Sequence, residues 1–541
     1  MEIEFLGAAH EVTGSCHYIS IGNKKILIDC GMEQGADIYV NQEIPVNASE
    51  INYVFLTHAH IDHSGLLPLL YQKGFRGKVY STKATKELCA IMLRDSAHIQ
   101  EAEAAWKNKK ARRLGKGTVE PMYSFEDVEG IMNLFVSCDY HQIIQVCNEI
   151  EIRFVDAGHL LGSASIEIWL LEDNNKRKIV FSGDIGNKNR PLIKNPEYIK
   201  ESDFVVMEST YGNRNHEVVE DYAKLLADVV RRTFKRGGNV VIPAFSVGRT
   251  QELLYYFRKI KTEHMLPEFE NFEVYMDSPL AVEATNVFHQ SISSCFDEEA
   301  LGLIEKGINP ISFSGLKTAV SVEESKLINT IKKPVIIISA SGMCEAGRIR
   351  HHLKYNLWRK ESCIVFVGYQ VPGTLGNLLL NGIKEIKLFG EPVSVAAEIC
   401  NLPGISGHAD ERQLKEWASA FSGDVKTFFV VHGEDKVCDE FSESLQNEFG
   451  RHAIAPYSGS RYNLLTGECI FEGMKEKVQK QKPDMSTAKE IERAKSNIYE
   501  RLVSTGQYLM SIIKKSQTMQ NKDLAKFADQ IHALCEKWDS K

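Results

Sequence analysis

The stretch THAHIDHSG at 57–65 places three imidazoles and one carboxylate within six residues, directly after an apolar run. Such a cluster would be costly without a use, because these polar groups repel one another when charged and displace apolar packing. Nitrogen and oxygen donors of this kind suit Zn²⁺ in catalytic sites. A tight loop that leads into a helix can aim His58 and His60 at one ion, and Asp62 and His63 at a second. The stretch therefore predicts a metal centre at the end of a strand.

Two later strand ends supply further candidate ligands. His159 follows the apolar run IEIRFV, and Asp184 follows RKIVF. A carboxylate can bridge two metal ions, which an imidazole cannot, so Asp184 is the natural bridging ligand. Each residue taken alone is explained as well by a structural role, and the cluster at 57–65 favours the metal role for both.

Apolar runs that close on glycine, polar or histidine clusters recur along the chain and predict buried strands. They lie at 24–31, 52–60, 150–159, 177–186, 202–210, 238–245, 333–342, 362–370 and 425–434. Helical patterns, such as those at 220–237 and 248–260, alternate with them. This alternation predicts an α/β architecture.

The order of the candidate ligands bears on domain organisation. They cluster between 29 and 208, cease, and return at 406–432. One site assembled from both ends of the chain predicts that the middle segment is an inserted domain, although two independent α/β domains in series would also fit the composition. Beyond 470 the sequence is charged and helical.

Two amphipathic helices are predicted in this C-terminal segment. They could pack on the body of the protein or on a second copy, so a homodimer stays open. Their features are a capping box at Thr487 and Glu490, one apolar face of Ile491, Ile498, Leu502, Leu509, Ile512 and Ile513, and another of Leu524, Phe527, Ile531, Leu534 and Trp538.

Composition limits the classes of protein that the chain can be. It has 541 residues, 43% hydrophobic and 25% charged, with a net charge of -8, which is ordinary for a soluble multidomain protein. Twelve scattered cysteines without a CxxC pair disfavour a thiolate zinc ribbon and indicate reduced thiols. The chain begins without a signal-peptide pattern and has no apolar stretch of about 20 residues. We therefore expect a cytoplasmic protein with no membrane association.

The motif HxHxDH, followed by a strand-end His and a strand-end Asp, resembles the metallo-β-lactamase fold. More narrowly, the chain resembles the β-CASP nucleases, the group that contains the cleavage-and-polyadenylation endonuclease and its bacterial and archaeal relatives. The strings that carry this resemblance run in the family's order from 5 to 434. They are FLGAAHEVTGSC (5–16), ESTYGNR (208–214), FSVGRTQELL (245–254), DSPLA (277–281), SGMCEAGRIRHHL (341–353), GYQVPGTLGN (368–377), SGHAD (406–410) and VHGE (431–434).

The resemblance implies a metallo-β-lactamase αββα sandwich over 1–208 and 391–470, with an inserted α/β β-CASP domain at 209–390. A helical C-terminal extension would occupy 471–541. It also implies two Zn²⁺ ions per chain. Their ligands would be His58, His60 and His159 for the first ion, Asp62, His63 and His432 for the second, and Asp184 between them.

The same resemblance assigns further roles. Glu208 and His408 match the first two β-CASP motifs, and His408 would be the general acid held by Glu208, while Asp62 ligates and orients the nucleophilic water. Asp29 would orient the ligand loop. His432 matches the third motif, and RNA-directed members keep histidine at that position, which favours single-stranded RNA as the substrate.

Candidate substrate-binding residues lie at strand-to-helix turns of the insert and in SGHAD, where backbone and side-chain donors can meet phosphates. They are Ser246, Arg249, Ser341, Arg348, His352 and Ser406. The basic run KNKKARRLGKG at 107–117 is either a solvated helix surface or an RNA-tracking patch. Three positions depart from the family pattern: His10 and Ala346 stand where glycine is common, and Asn377 where arginine is common.

The sequence thus predicts a zinc-dependent ribonuclease of RNA processing or decay, an endonuclease that could also degrade RNA from its 5′ end. A DNA-directed nuclease and a small-molecule hydrolase of the thioesterase or lactonase type are alternatives on the same scaffold. The length of the insert disfavours the small-molecule hydrolase, because a roof of that size suits a long substrate. A scaffold without catalytic activity is disfavoured because every expected ligand position is filled.

Overall fold

The computed structural model describes residues 1–34, 41, 43–113, 117–217, 219, 221–371, 373–402, 406–473, 475, 509, 513, 524–525 and 527–532. Its strands are β1 (Glu2–Gly7), β2 (Cys16–Ile21), β3 (Lys24–Ile28), β4 (Tyr53–Phe55), β5 (Lys78–Thr82), β6 (Phe135–Cys138), β7 (Ile144–Cys147), β8 (Ile150–Asp156), β9 (Ala164–Glu172), β10 (Asn175–Phe181), β11 (Phe204–Glu208), β12 (Val240–Pro243), β13 (Val274–Asp277), β14 (Leu316–Thr318), β15 (Ile336–Ser339), β16 (Cys363–Phe366), β17 (Glu385–Leu388), β18 (Glu391–Ser394), β19 (Glu398–Asn401), β20 (Thr427–Val431), β21 (Ala453–Ile454), β22 (Arg461–Asn463) and β23 (Cys469–Phe471).

The helices are α1 (Ile61–Ser64), α2 (Leu67–Gln72), α3 (Lys83–Arg113), α4 (Phe125–Met132), α5 (Tyr222–Lys235), α6 (Arg249–Thr262), α7 (Pro279–Gln290), α8 (Ile292–Cys295), α9 (Glu298–Glu305), α10 (Val322–Ile328), α11 (Ile349–Asn356), α12 (Leu375–Leu380), α13 (Glu411–Ser419) and α14 (Asp435–Phe449). Short 3₁₀ helices lie at Ala48–Glu50 and Pro267–Phe269. Each of the nine apolar runs contains a strand, and the two helical patterns form α5 and α6, so the predicted α/β architecture is confirmed.

Two sheets form a sandwich that carries the ligand loops. Their strand orders are β23-β22-β1-β2-β3-β4-β5-β6 and β21-β20-β11-β10-β9-β8-β7. The side chains of strand β20 alternate between the two faces of its sheet, so this one strand contributes to two apolar cores. Phe429 packs between the sheets with Phe5 and Phe181, whereas Phe428 packs on the outer face.

Helices cover both outer faces of the sandwich, which completes the αββα arrangement. On the eight-stranded sheet, α2, α3 and α4 pack against the strands in one apolar core that includes Leu88 and Val79. On the seven-stranded sheet, α13 and α14 contribute Trp417 and Phe441 to a second core. The predicted metallo-β-lactamase sandwich is confirmed.

The inserted segment is built on a third, parallel sheet of order β14-β13-β15-β12-β16-β19. Val240 and Ile242 of β12 face α5 and α6, while Val241 faces α11 and α12. This sheet takes β19 from beyond 390, the boundary that the sequence suggests for the insert. Because all its strands are parallel, their carboxyl ends, and the loops that follow them, lie along one edge.

The segment Val478–Lys541 is a unit of its own. Its described residues are helical, and Leu524, Phe527 and Ile531 of one predicted apolar face are partly exposed. Leu509 and Ile513 are described as well. The predicted features that lie outside the described residues are the capping box at Thr487 and Glu490 and the apolar positions Ile491, Ile498, Leu502, Ile512, Leu534 and Trp538.

The structure also bears on membrane-spanning helices and on the basic run at 107–117. Within the parts of the chain that the structure describes, no helix combines the length and the apolar character needed to cross a membrane. The basic run at 107–117 forms the exposed end of α3 as far as Arg113, with Lys107 paired to Glu103, and 114–116 lie outside the described residues.

Candidate metal centre

Four side chains from three strand ends converge on one point. His60 Nδ1 lies 3.1 Å from both His58 Nε2 and His159 Nε2. Asp184 Oδ2 lies 3.4 Å from each of those Nε2 atoms. With metal–ligand bonds of about 2.0–2.2 Å, the corners of a tetrahedral zinc site stand about 3.3–3.5 Å apart. The four atoms therefore have the spacing of a tetrahedral ligand set.

A second group lies beside the first and shares Asp184. His63 Nε2 lies 3.1 Å from His432 Nε2 and 3.3 Å from Asp184 Oδ1. His432 Nε2 lies 3.6 Å from Asp184 Oδ1 and 3.8 Å from Asp62 Oδ2. Asp184 thus turns one carboxylate oxygen toward each group, which is the arrangement of a bridging ligand.

The state of Asp184 tests whether a metal fits. Its side chain is 2% exposed, and Oδ1 accepts no hydrogen bond from any described group. A buried carboxylate oxygen without a hydrogen-bond donor is costly in free energy. A cation at this oxygen would offset that cost, so the residues present fit two bound ions.

A carboxylate behind His63 fixes the orientation of its ring. Asp29 Oδ2 lies 2.7 Å from His63 Nδ1, and Asp29 also accepts hydrogen bonds from the backbone N–H and the hydroxyl of Thr57. A carboxylate can only accept, so Nδ1 carries a proton, and the neutral form of the ring presents its Nε2 lone pair to the site. This is the carboxylate–histidine pairing common behind metal ligands, and it agrees with the orienting role expected of Asp29.

Backbone carbonyls and hydroxyls hold other rings. Nδ1 of His159 is 3.2 Å from the carbonyl oxygen of Gly407, and Nδ1 of His432 is 3.1 Å from the hydroxyl of Thr210. Thr210 Oγ1 also bonds to the carbonyl oxygen of His432. No pattern in the sequence indicates this role for Thr210.

The backbone at the strand ends turns sharply to bring the ligands in. His432 follows β20 with φ of 52°, and Gly183 precedes Asp184 with φ of 57°. A Cβ at Gly183 would lie 2.9 Å from the Thr57 side chain. Glycine is therefore required at 183 by both conformation and space.

Burial sets the charge states of the first group. It lowers the pKa of His58 and His159, and that of His60 to about 3, so these rings are neutral at neutral pH. Neutral imidazoles are the form that binds metals. For Asp184 burial acts to raise the pKa, but the surrounding histidines, led by His432, hold it well below its usual value.

His408 and Glu208 form a pair beside the first group, since the His408 ring centroid is 4.5 Å from that of His159 and 6.2 Å from that of His432. His408 Nδ1 lies 3.2 Å from both oxygens of Glu208, and Glu208 is 1% exposed. Glu208 also accepts hydrogen bonds from the backbone N–H groups of Ile185 and Thr210. Burial lowers the pKa of His408, but the carboxylates of Glu208 and Asp184 more than reverse this and raise it to about 9. The ring is therefore protonated at neutral pH.

The two residues predicted to bind substrate at the start of α6 are largely buried. The Ser246 hydroxyl is 3.0 Å from that of Ser278. The Arg249 guanidinium forms an ion pair with Glu252, and its side chain is 10% exposed. This geometry gives Arg249 a structural role, because its guanidinium binds a buried carboxylate that it shares with Arg190.

Arg348 and His352 meet at another buried carboxylate. Arg348 Nη1 donates to Asp277 Oδ1 at 2.7 Å, and His352 Nε2 lies 2.6 Å from Asp277 Oδ2. His352 is 0% exposed. A fully buried imidazole cannot touch a ligand that arrives through solvent, so His352 does not join the site in this structure, contrary to the expectation from sequence.

Ser341 lies in the loop after β15 of the insert, and Ser406 lies in the loop before α13. The Ser341 hydroxyl accepts a hydrogen bond from the backbone N–H of Ala346, and that of Ser406 accepts one from the N–H of His408. Ser406 therefore positions the backbone of His408.

Sequence reasoning missed a buried network that joins the sandwich to the insert. Arg190 donates to the carbonyl oxygens of His159 and Gly407 and forms an ion pair with Glu252 of α6. Glu252 thus lies between Arg190 and Arg249. Arg190 therefore connects the loop of His159, a ligand of the first group, to helix α6 of the insert.

Two of the three positions that depart from the family pattern, His10 and Asn377, have local contacts that account for the residue present. His10 is fully buried with φ of 63°, the region that favours glycine, and its ring stacks on Tyr457. Asn377 Nδ2 donates to the carbonyl oxygen of Gln370 at 3.3 Å.

Comparison with known families matches three segments of the chain. A metallo-beta-lactamase superfamily domain matches 18–205, a Beta-Casp domain 250–379, and a Zn-dependent metallo-hydrolase RNA specificity domain 392–456. These segments follow one another along the sandwich, the insert and the return to the sandwich.

Two curated proteins illustrate the similarity to whole chains. "Ribonuclease TTHA0252" of Thermus thermophilus is 34% identical over 437 residues, which cover 81% of this chain and 94% of that protein. "Transcription termination factor FttA" of Methanosarcina mazei is 32% identical over 460 residues, covering 82% of this chain and 69% of that protein.

Proposed function

Since the chain belongs to the β-CASP family of the metallo-β-lactamase superfamily and is a metal-dependent ribonuclease, we propose that it hydrolyses single-stranded RNA at a centre of two zinc ions. The observation that carries the proposal is the bridging position of Asp184 between two histidine groups, with one buried oxygen lacking a hydrogen bond. The division into a sandwich at 1–208 and 391–470, an insert at 209–390 and a C-terminal extension at 471–541 belongs to the same proposal, as does a cytoplasmic location.

The proposed roles follow from the positions of the side chains. When bound, the two ions lower the pKa of a water and polarise the phosphate. Asp62 has a side chain 21% exposed, against 2% for Asp184, so it is the ligand that a water can reach and that can orient it. His408 donates a proton to the leaving oxygen, because the adjacent Glu208 carboxylate favours its protonated form.

Glu208 keeps His408 in place for this step. Its carboxylate binds Nδ1, so the Nε2 proton is the one available to the substrate. Its hydrogen bonds from two backbone N–H groups fix the carboxylate in turn. Proton donation therefore depends on a side chain that does not touch RNA.

Contacts between the sandwich and the insert support single-stranded RNA as substrate. Arg190 of the sandwich forms an ion pair with Glu252 of the insert, and Arg214, in the segment that leaves the sandwich after β11, contacts Tyr369, which follows β16 of the insert. A single strand fits between two parts joined in this way more readily than a duplex, which would need them to move apart.

The test uses the holoenzyme and one end-labelled RNA sequence, offered single-stranded and in a duplex. We expect cleavage of the single strand, loss of cleavage on adding a chelator, and much slower cleavage of the duplex. Cleavage that persists in chelator would contradict the metal centre. Equal rates on the two forms would contradict the preference for single strands, and hydrolysis of DNA alone would overturn the choice of RNA.

A further inference from the structure

Two arginines of the insert that the sequence suggests for RNA binding are already paired with acids. Arg249 binds Glu252, and Arg348 binds Asp277 and two backbone carbonyls. Arg214 differs from both. It is exposed, and within the described part of the chain its guanidinium forms no ion pair and donates no hydrogen bond. Its charge is available to a ligand.

Two aromatic rings hold the guanidinium of Arg214. Its central carbon lies 4.5 Å from the ring centroid of Tyr211 and 5.7 Å from that of Tyr369. Both distances are within the range of cation–π attraction. Tyr369 is 50% exposed, whereas Tyr211 is partly covered, with the ring of His216 at 4.7 Å. Tyr369 therefore offers the open face.

The three residues lie where the proposed proton donor meets the insert. Tyr211 follows β11 of the sandwich, and its ring centroid is 6.2 Å from that of His408. Tyr369 follows β16 of the insert. The group thus spans from His408 to the carboxyl edge of the parallel sheet.

The same edge carries a second exposed ring. Phe245 follows β12, is 49% exposed, and lies against Gly342, where a Cβ would come within 3.1 Å of its ring. Position 377 is occupied by asparagine, which is neutral and donates its side-chain N–H to the carbonyl oxygen of Gln370. It therefore adds no positive charge near Tyr369. Among the described residues, Arg214 is the cation in contact with the Tyr369 ring.

We propose that Tyr211, Arg214 and Tyr369, here called the aromatic clamp, bind the nucleotide that carries the leaving oxygen. This inference rests on the proposed ribonuclease function. The unpaired base stacks on Tyr369, and its phosphate meets Arg214. Every base has a flat face, so the clamp selects for unpaired nucleotides over paired ones without reading sequence. The position beside His408 assigns it to the leaving side of the cut.

The experiment combines Tyr369→Ala with single-stranded RNA in which one nucleotide at a time lacks its base. Loss of one stacked base costs about ten-fold or more in binding. In the wild-type holoenzyme, we expect KM to rise about ten-fold when the missing base is the neighbour of the scissile phosphate on the leaving side. Tyr369→Ala should raise KM by a similar factor on intact RNA, with a smaller change in kcat. In this variant, removal of the base should raise KM little further, because the ring on which it stacks is already absent.

Two controls make the result specific. Tyr369→Phe keeps the ring and should behave as wild type. Tyr355→Ala removes another tyrosine, 52% exposed, in the last turn of α11, and should leave KM unchanged. Circular dichroism of each variant checks that it is folded.

The outcomes separate the clamp from the function on which it rests. A Tyr369→Ala enzyme with the KM of wild type on intact RNA would overturn the clamp. So would a Tyr369→Ala enzyme in which the missing base still raises KM by the full factor seen in wild type, because the two changes would then act independently. A wild-type enzyme that cuts no RNA yet hydrolyses the base-free diester bis(p-nitrophenyl) phosphate would overturn the ribonuclease proposal itself.

Discussion

The strand ends of the sandwich and those of the insert differ in what their polar residues do. At the ends of β4, β10 and β20, the side chains turn toward one another and leave a buried carboxylate oxygen of Asp184 without a hydrogen bond. After β12 and β15, Arg249 and Arg348 are paired with buried acids. The first set is incomplete without a ligand, and the second is complete. A buried carboxylate oxygen without a hydrogen bond from a described group, set among histidines, therefore marks the reactive side of the site better than positive charge does.

The largest effect expected from a single change outside the ligand groups is that of His408→Ala. Removing the proton donor should lower the single-turnover rate on RNA by about 10²–10⁴-fold while the metal content stays that of wild type. His264→Ala, at an exposed histidine paired with Glu270, is the matched control. Near-wild-type cleavage by the His408 variant, or loss of metal from it, would place His408 outside the role of proton donor.

A smaller effect is expected when the partner of His408 loses its charge. Glu208→Gln removes the carboxylate that raises the His408 pKa to about 9. His408 acts in its protonated form, so activity is lost as pH rises through its pKa, and a lower pKa moves this alkaline limb to lower pH. At neutral pH a loss of about 10–100-fold is typical of a positioning residue. An unshifted limb in the profile of kcat/KM against pH would show that Glu208 does not set the pKa of His408.

The smallest effect on RNA is expected at Arg249, and it sharpens the contrast with Arg214. Arg249→Ala should reduce the free energy of unfolding by about 1.5–3 kcal/mol, since it breaks a largely buried, charged hydrogen bond to Glu252. The salt dependence of RNA binding should stay as in wild type. Arg214→Ala should instead flatten the slope of log K against log salt by about 0.7, the contribution of one phosphate contact on a single strand. A flatter slope for Arg249→Ala would restore it as a phosphate ligand.

The sequence predicted the sandwich side of the site well for a physical reason. Candidate ligands come in short motifs at the ends of apolar runs, and the type of each residue already states its chemistry. The insert was harder to predict because a cation has many partners. Arg348 pairs with Asp277, 71 residues away, which no local pattern indicates. Arg249 and Glu252 are three residues apart on one helix, so their pairing could have been predicted.

The aromatic clamp lies between these two cases. Tyr211 and Arg214 both stand in the string ESTYGNR, where an aromatic residue close to a basic one was visible. Tyr369 comes from a strand of another sheet, and only the fold brings its ring to Arg214. The sequence thus places two of the three residues close together, and the fold adds the third.

The most direct test of a two-ion centre bridged by Asp184 is a zinc titration of the metal-free protein, followed by cleavage of end-labelled single-stranded RNA. We predict that cleavage is restored fully only at two equivalents of zinc per chain, and that Asp184→Asn binds fewer ions and stays inactive. Full activity at one equivalent, or an Asp184→Asn variant with wild-type metal content and cleavage, would contradict a centre of two ions bridged by Asp184.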